Sequence, residues 1–188
     1  MKQKFEIIHK HYKKYYGTYI SKGHVPSRVT LDGDGFWSYT DFEMIKELFG
    51  KIDIGKFSKI IDLGSGDGMV VMLASLWIDS VGVELDKKLF DDSIRIQKDI
   101  LTELKKEKLR LKHAKLVNKN FLDVDLKEFD LIFLNPDNRL YEIETKLRAE
   151  MNATARLIVM NDLFLPLNLK LIETLNVKGM NFRLYKNC

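Results

Sequence analysis

The sequence predicts an α/β fold in which a mainly parallel sheet carries helices on both of its faces. Short apolar segments rich in β-branched residues, typical of buried parallel strands, recur along the chain. Longer segments with helical periodicity separate them. This alternation is typical of one sheet covered by helices on both sides. A chain of 188 residues, 45% of them apolar, is long enough to bury one sizeable core.

The N-terminal segment predicts an amphipathic helix. Its apolar positions recur every three or four residues: Phe5, Ile8, Tyr12, Tyr15, Tyr16 and Tyr19. Lysines fall on the opposite side: Lys10, Lys13 and Lys14. Residues 1–30 hold seven of the 31 Lys and Arg residues and a single acid, so the positive excess of the chain is concentrated here. This face is either simply solvated or a surface for an acidic partner or nucleic acid.

Five strands, three helices and a final hairpin are predicted for the rest of the chain. The predicted strands are 58–63, 80–85, 114–119, 129–134 and 155–160. Helices are predicted for 69–77 and 87–108, and a third helical stripe consists of Leu140, Ile143, Leu147 and Met151. Segments 169–177 and 181–186, on either side of Gly179, predict a β-hairpin. We divide the chain into an N-terminal helical arm and lid, residues 1–50, and a main domain, residues 51–188.

Composition argues against several classes of protein. No apolar run approaches the ~20 residues of a membrane span, and the N-terminus lacks the apolar core of a secretion signal. The one cysteine, Cys188, leaves no partner for an internal disulfide, and the four histidines show no metal-ligand spacing. We therefore expect a cytoplasmic protein without a metal site.

The segment 60–71, IIDLGSGDGMVV, concentrates glycine behind the first predicted strand of the sheet. In parallel sheets, ligands bind at this carboxyl edge. We expect Gly64 to turn the chain, Gly66 to let the backbone approach a ligand, and Gly68 to let the next helix pack closely. Met69 stands where a dinucleotide-binding G-x-G-x-x-G loop has its last glycine, and the G-K-[ST] ending of a Walker loop is absent.

Two carboxylates frame this loop. Asp62 precedes it, where it would repel a pyrophosphate but suits a positive group such as the ammonium of an amino acid. Glu84 ends the second predicted strand, where a carboxylate can accept hydrogen bonds from both hydroxyls of a ribose. An ammonium and a ribose together describe S-adenosylmethionine. A purely structural glycine turn in another α/β domain is the alternative.

The stretches DLGSGDG and GVELD, residues 62–68 and 82–86, resemble the first motif and the acidic loop of class I S-adenosylmethionine-dependent methyltransferases. The resemblance implies a Rossmann-like methyltransferase fold, with a mainly parallel seven-stranded sheet that ends in a C-terminal β-hairpin. It also implies S-adenosylmethionine as cofactor and S-adenosylhomocysteine as product. The implied cofactor-binding residues are Asp62, Gly64, Ser65, Gly66, Asp67, Gly68, Glu84 and Leu85.

After the third predicted strand, Asn120 and Phe121 stand where this family usually has an acid and an apolar residue that hold the adenine. The resemblance implies that the Asn120 amide oxygen accepts from the adenine amine and that Phe121 covers the ring. A structural role for this pair is the alternative.

The segment 33–50 fills the place of the family's segment over the cofactor. In it, Thr40 and Glu43 have the spacing of a capping box. Trp37 and Tyr39 either close over the sulfonium by cation–π contact or belong to the ordinary core. We include Trp37, Tyr39 and Thr40 among the candidate cofactor-binding residues.

The segment LNPDN, residues 134–138, resembles the [DN]-P-P-[FYW] motif of amine-directed methyltransferases. The resemblance implies that the side-chain oxygen of Asn135 and the carbonyl of Pro136 accept hydrogen bonds from the target amine, with Asp137 as a candidate proton acceptor. In nucleobase enzymes the fourth position is aromatic and stacks on a flipped base. Here it is Asn138, which argues against adenine as the target. An Asx turn that ends a strand is the alternative.

Three stretches, residues 62–75, 82–86 and 136–159, together resemble small lysine methyltransferases of the ATP-synthase c-subunit type and their prokaryotic relatives, which are distantly akin to the non-SET histone lysine methyltransferase. The shared features are the proline after the fourth strand, the helix around 143–147 and an A-R-[LV]-I fifth strand. This resemblance implies methyl transfer to a lysine amine of a protein. Two alternatives stay open: a methyltransferase acting on an amine of rRNA, tRNA or DNA through the basic arm, and a cofactor-binding protein without catalysis.

Overall fold

A computed structural model describes residues 1–24, 27–29, 36–136 and 140–188 of the chain. The α-helices are α1 (Lys2–Ile20), α2 (Phe42–Lys51), α3 (Met69–Ala74), α4 (Lys87–Lys106) and α5 (Leu140–Glu150). The strands are β1 (Ser27–Val29), β2 (Phe36–Ser38), β3 (Lys59–Leu63), β4 (Asp79–Glu84), β5 (Ala114–Asn118), β6 (Leu131–Leu134), β7 (Arg156–Met160), β8 (Lys170–Val177) and β9 (Met180–Lys186). None of the helices in these ranges is long and apolar enough to span a membrane.

The main sheet has seven strands in the order β5-β4-β3-β6-β7-β9-β8. Strands β3 to β7 are parallel, whereas β9 runs antiparallel to both β7 and β8. Strand order reverses at β3, which pairs with β4 on one side and with β6 on the other. The predicted Rossmann-like methyltransferase fold, with its terminal hairpin, is therefore confirmed.

Helices cover both faces of the sheet. Consecutive residues of a strand point to opposite faces, and in the buried strands both sets of side chains are apolar. On β3, Ile60 packs into a cluster with apolar residues of α1, α2, α3 and α4, whereas Ile61 packs into the cluster that contains Ile143 and Leu147 of α5. Such strands are apolar on both faces, which explains why they appear in the sequence as continuous apolar runs.

Several predicted element ends differ from those observed. Helix α3 stops at Ala74, and i to i+3 hydrogen bonds continue the chain to Trp77. The capping box predicted for Thr40 and Glu43 is wrong. Asp41 is the N-cap of α2, and its carboxylate accepts a 2.7 Å hydrogen bond from the amide of Met44.

Helix α1 forms as predicted and packs its aromatic stripe against the body of the protein. Its Tyr12 hydroxyl donates to the backbone carbonyl of Asp67 at 3.2 Å, and its Tyr16 hydroxyl donates to the carboxylate of Asp67 at 2.8 Å. Buried residues of α1 and α2 share one core cluster with β3, β6 and β7. The division of the chain after residue 50 stays a prediction.

The hydroxyl of Tyr16 supports a stability prediction. Tyr16→Phe removes one donor from a buried carboxylate, so we expect the free energy of unfolding at about pH 8 to fall by about 1–3 kcal/mol. Urea unfolding followed by circular dichroism measures this change.

Tyr19→Phe is the matched control, since the half-buried Tyr19 hydroxyl has only a 3.3 Å contact with the hydroxyl of Tyr15. Its expected cost is below about 0.5 kcal/mol. Equal losses in the two variants would show that the bond between α1 and Asp67 contributes nothing specific.

Candidate functional site

The glycine loop after β3 is held close to β4 and to its neighbours. The amides of Gly64 and Ser65 both donate to the carbonyl of Val83, at 2.9 and 3.0 Å. Gly66 has a φ of +54°, and a Cβ there would lie 2.6 Å from the indole of Trp37. A side chain at this position is thus excluded by both backbone conformation and space. Trp37 therefore lies directly against Gly66, and the predicted approach of a ligand to this backbone stays a prediction.

Glu84 at the end of β4 accepts a backbone hydrogen bond on each of its two carboxylate oxygens. One carboxylate oxygen accepts from the amide of Gly66 at 2.7 Å, and the other accepts from the amide of Asp86 at 2.8 Å. The side chain is only 8% exposed, and burial raises its pKa while these backbone bonds oppose the rise. Each carboxylate oxygen has a further lone pair, so Glu84 can hold the loop and still accept from a ligand hydroxyl.

Asp62 lies at the end of β3 and is 4% exposed. Burial raises the pKa of its carboxyl well above the ordinary value, and the neighbouring charges of Glu84 and Asp67 raise it further. Asp67 lies in the same loop, and burial raises its pKa to about 7, although hydrogen bonds from Tyr16 and the amide of Met69 oppose the rise.

These three carboxylates form an acidic cluster, which we define as Asp62, Asp67 and Glu84. Within the described residues, no Lys or Arg forms an ion pair with any of them, and they are not arranged as the ligands of a metal ion. Buried carboxylates without a cation carry unfavourable electrostatic free energy. A ligand with a positive charge lowers that free energy, and S-adenosylmethionine carries two such groups.

A polar atom beside the acidic cluster also lacks a partner. Among the described residues, the Ser65 hydroxyl is the one side-chain polar atom that is completely shielded from solvent and also has no hydrogen bond. It lies at the bend of the glycine loop, against Gly82, where a Cβ would come within 2.7 Å of its oxygen. A buried hydroxyl of this kind fits a binding loop whose ligand completes its hydrogen bonds.

Of the two aromatic candidates before α2, Trp37 contacts the glycine loop and Tyr39 contacts α1. Trp37 packs on Gly66 and on the rings of Tyr15 and Tyr19 of α1. Tyr39 packs edge-on against the ring of Tyr16, whose hydroxyl binds Asp67 of the acidic cluster. Thr40 is half-buried beside the N-cap of α2.

The predicted adenine side consists of Leu85, Asn120 and Phe121. Leu85 follows Glu84 and is 46% exposed. Asn120 accepts from the amide of Leu122 at 3.0 Å, so it caps a short 3-10 turn with the oxygen that we assigned to adenine. Phe121 is half-buried against the core cluster on the α5 side of the sheet.

Asn118 at the end of β5 takes part in shaping this side of the site. Its amide donates to the carbonyls of Glu84 and Leu85, at 2.8 and 3.0 Å, and so fixes the turn after β4. Sequence reasoning did not select it, although its position at a predicted strand end was a usable signal.

The predicted acceptor residues follow β6. Leu63 of β3 pairs with Leu134 of β6, so the glycine loop and Asn135 leave adjacent strands at the same level. The Asn135 side-chain oxygen accepts a 3.0 Å hydrogen bond from Asn161, which follows β7. Pro136 is buried, whereas Asp137 and its neighbour Asn138 lie outside the described residues.

Sequence reasoning also missed the contacts of Tyr16 and Asn161 with this site. Tyr16 was placed on a packing stripe, and nothing in the pattern shows that its hydroxyl reaches Asp67, 51 residues away. Asn161 directly follows a predicted strand, so the same strand-end signal that pointed to Asn135 was present.

The fold is that of known methyltransferases. The structure is similar to an RNA methyltransferase from Salinibacter ruber in complex with S-adenosyl-L-homocysteine, with a TM-score of 0.60 and 17% identity over 79% of this chain and 93% of that chain. A putative methyltransferase yhhF from Escherichia coli has a TM-score of 0.58 and 20% identity, over 80% and 88%. A TehB-like SAM-dependent methyltransferase from Corynebacterium glutamicum has a TM-score of 0.58 and 14% identity, over 95% and 97%.

Sequence comparison gives the family. No curated protein matches this sequence. The family model described as "Histone methylation protein DOT1" matches residues 36–184, which include the glycine loop, the acidic cluster and the strand ends on which the site is built. Family and fold together confirm the predicted class, an S-adenosylmethionine-dependent methyltransferase with S-adenosylmethionine as cofactor. The chain belongs to the DOT1 family of histone methylation proteins.

Proposed function

We propose that this protein transfers a methyl group from S-adenosylmethionine to the side-chain amine of a lysine in a protein substrate. The register of two adjacent strands is the observation that carries the proposal. Leu63 and Leu134 are paired, so the cofactor loop and the amine-accepting Asn135 start side by side at the carboxyl edge of the sheet. A methyl donor and an acceptor amine must be neighbours in line for direct transfer.

The acidic cluster and its surroundings are suited to the cofactor. We assign Asp62 to the ammonium group and Glu84 to the ribose hydroxyls. Leu85 and Phe121 supply apolar surface for the adenine ring, and Asn120 supplies an amide at its edge. Trp37 lies on the glycine loop, where its ring can contact the sulfonium by a cation–π interaction.

The chemical demand on the protein is modest. When bound, the cofactor supplies an already activated methyl group. The chain must therefore orient a neutral amine so that its lone pair faces that methyl group. The side-chain oxygen of Asn135 and the carbonyl oxygen of Pro136 do this by accepting hydrogen bonds from the N–H groups of the amine. Apolar surroundings lower the pKa of a lysine and favour its neutral form. Its proton goes to water or to a nearby acid, for which Asp137 is our candidate.

An exposed apolar segment that begins two residues after Asn161, the partner of Asn135, supports a protein as the acceptor. The segment that follows Asn161 alternates buried Phe164 with exposed leucines, and Leu163, Leu165 and Leu167 are 65%, 59% and 87% exposed. Such a row suits apolar side chains of a protein better than the phosphates of a nucleic acid. The family description, histone methylation, agrees with this choice of acceptor.

A nucleic-acid substrate is the second candidate, and one observation favours it. Lys13 and Lys14 are exposed on the outer face of α1, where they extend the positive charge of the N-terminal segment. Affinity for RNA or DNA that depends on such lysines falls steeply with salt through counterion release. A protein substrate held by apolar contacts shows a much weaker dependence on salt.

Labelling of a cell lysate with tritiated S-adenosylmethionine separates these acceptors. Aliquots of the labelled material are digested with protease or with nuclease, and the released label is counted. The proposal predicts protease-sensitive label that elutes as methylated lysine after acid hydrolysis. Label that is released only by nuclease would overturn the lysine acceptor.

Asn135→Ala tests the acceptor side of the site. Because the variant removes one hydrogen bond to the reacting amine, we expect the initial rate of protein labelling to fall roughly 10²-fold. Cofactor affinity, measured by calorimetry, stays nearly unchanged. Asn152→Ala, at an exposed position before β7, is the control and retains the wild-type rate. Equal rates for wild type and Asn135→Ala would remove Asn135 from the proposed machinery.

Asp62→Asn tests the acidic cluster by removing a charge without changing shape. The raised pKa of Asp62 means that its ionised form destabilises the fold, so we expect the variant to unfold at a higher temperature than wild type at about pH 8. Its affinity for S-adenosylmethionine should nevertheless fall by roughly 10- to 100-fold.

The control for this charge removal is Asp99→Asn at an exposed position of α4. It should change neither thermal stability nor cofactor affinity. A destabilised Asp62→Asn variant with unchanged affinity would instead assign Asp62 a purely structural role.

The raised pKa values in the acidic cluster predict a pH-dependent affinity. The folded protein holds protons on these carboxyls at pH values where the unfolded chain has lost them, so stability falls as pH rises through about 7, the pKa of Asp67. A cationic ligand favours the ionised carboxylates, so its binding releases protons. Affinity for S-adenosylmethionine should therefore increase between about pH 6 and about pH 7.5, below the pKa near 8 of an α-amino group.

Calorimetry in two buffers with different ionisation enthalpies measures this proton release directly. We expect a net release on binding near pH 6.5 that is smaller in Asp62→Asn. Binding without proton exchange would contradict the proposed contact between the acidic cluster and a positive group.

A further inference from the structure

We propose that Asn161 is a positioning residue for methyl transfer, which sets the side-chain amide of Asn135 so that its oxygen, and not its NH₂ group, faces the acceptor amine. This inference rests on the proposed function of Asn135 and adds a residue to which no role has been assigned. Three features of the structure carry it: a hydrogen-bond chain with a fixed direction, a left-handed backbone at Asn161, and the attachment of Asn161 to the terminal hairpin.

The direction of the hydrogen-bond chain is fixed by a backbone group. The amide N–H of Leu163 donates to the Asn161 side chain at 2.8 Å, and because an N–H only donates, the atom that accepts is Oδ1. The other end of the Asn161 amide is therefore Nδ2, which only donates. It lies 3.0 Å from the Asn135 side chain, so the atom of Asn135 on that side is Oδ1.

One lone pair of the Asn135 oxygen remains after this bond. A carbonyl oxygen accepts two hydrogen bonds, and donation from Asn161 leaves room for one from an acceptor amine. Without Asn161, the Asn135 amide can turn over and present its NH₂ group to the amine. In that orientation the NH₂ group of Asn135 faces the N–H groups of the lysine amine and cannot accept a hydrogen bond from them. The lone pair of the amine is then no longer held toward the methyl group.

The backbone of Asn161 is itself held in an uncommon conformation. Its φ of +70° lies in the left-handed region, which asparagine tolerates better than most other residues except glycine. Its amide donates to the carbonyl of Asn181 at 3.0 Å, and its carbonyl accepts from the guanidinium of Arg183 at 3.1 Å. Arg183 also pairs with Asp162. Two residues of β9 thus brace the residue that orients Asn135.

Two substitutions separate orientation from mere packing. Asn161→Gly keeps the left-handed backbone and deletes the side chain, which frees the Asn135 amide to take both orientations. Asn161→Asp keeps the shape but replaces the donor with an acceptor, so the Asn135 amide must turn and donate its NH₂ group to the new carboxylate.

Initial rates of protein labelling from tritiated S-adenosylmethionine measure the effect, with total lysate protein as the acceptor. We expect the rate to fall about tenfold in Asn161→Gly and roughly 10²-fold in Asn161→Asp, by analogy with the loss of an oriented transition-state contact. Affinity for S-adenosylmethionine should stay within about twofold of wild type in both variants, because neither touches the acidic cluster. Asn152→Asp is the matched control, because within the described residues the exposed side-chain amide of Asn152 before β7 bonds only the carbonyl of Lys127, and this variant retains the wild-type rate.

A double-variant comparison tests whether Asn161 acts through Asn135. If it does, Asn135→Ala combined with Asn161→Asp is no slower than Asn135→Ala alone. Independent, multiplied losses would overturn the proposal, as would wild-type rates in both Asn161 variants. Failure of the wild-type protein to label any protease-sensitive material would overturn the lysine acceptor itself, and the role of Asn161 with it.

A second readout does not depend on the acceptor. In protein with ¹⁵N-labelled asparagine, the side-chain amide resonances of Asn161 should shift in Asn135→Ala and remain in place in Asn152→Asp. Unchanged Asn161 resonances in Asn135→Ala would show that the hydrogen bond between the two side chains is absent in solution and would overturn the proposal without bearing on the proposed function.

Discussion

Buried negative charge around one glycine loop is the constraint on which the rest of this structure depends. Asp62, Asp67 and Glu84 are removed from water together, and burial raises the pKa of all three; the charge of Glu84 raises the pKa of Asp62 and Asp67 further, and that of Asp67 raises the pKa of Asp62. The fold offsets part of this cost with backbone N–H groups at Glu84 and with the hydroxyl of Tyr16 at Asp67. Asp62 has no such hydrogen bond within the described part of the chain. In the proposed site, a cationic cofactor relieves the remaining unfavourable energy, so we expect the feature that weakens the free protein to strengthen its complex.

The N-terminal helix is part of this arrangement and not an appendage to it. Tyr12 and Tyr16 bind Asp67 from α1, while Trp37 lies on Gly66 between the loop and the rings of α1. Any movement of the glycine loop must therefore be accompanied by changes at the inner face of α1. The lysines on the outer face stay exposed and take no part in this packing.

Sequence patterns predicted the parts of the site that depend on neighbours along the chain. Asp62, the three glycines and Glu84 stand at strand ends, and apolar strands are recognisable over five or six residues. The same reasoning failed where two local signals compete. Thr40 and Glu43 match the spacing of a capping box, but the carboxylate of Asp41 takes the free amide of Met44. Contacts that join distant segments, such as Tyr16 to Asp67 or Asn161 to Asn135, depend on the packed fold and leave no spacing to recognise.

A crystal structure of the complex with S-adenosylhomocysteine tests the central claim most directly, since this ligand keeps the ammonium, ribose and adenine groups. We expect the ammonium nitrogen within hydrogen-bond distance of the Asp62 carboxylate, the ribose hydroxyls on Glu84, and the sulfur directed toward Asn135. A ligand bound with its ammonium away from Asp62, or bound outside the glycine loop, would contradict this account of the acidic cluster.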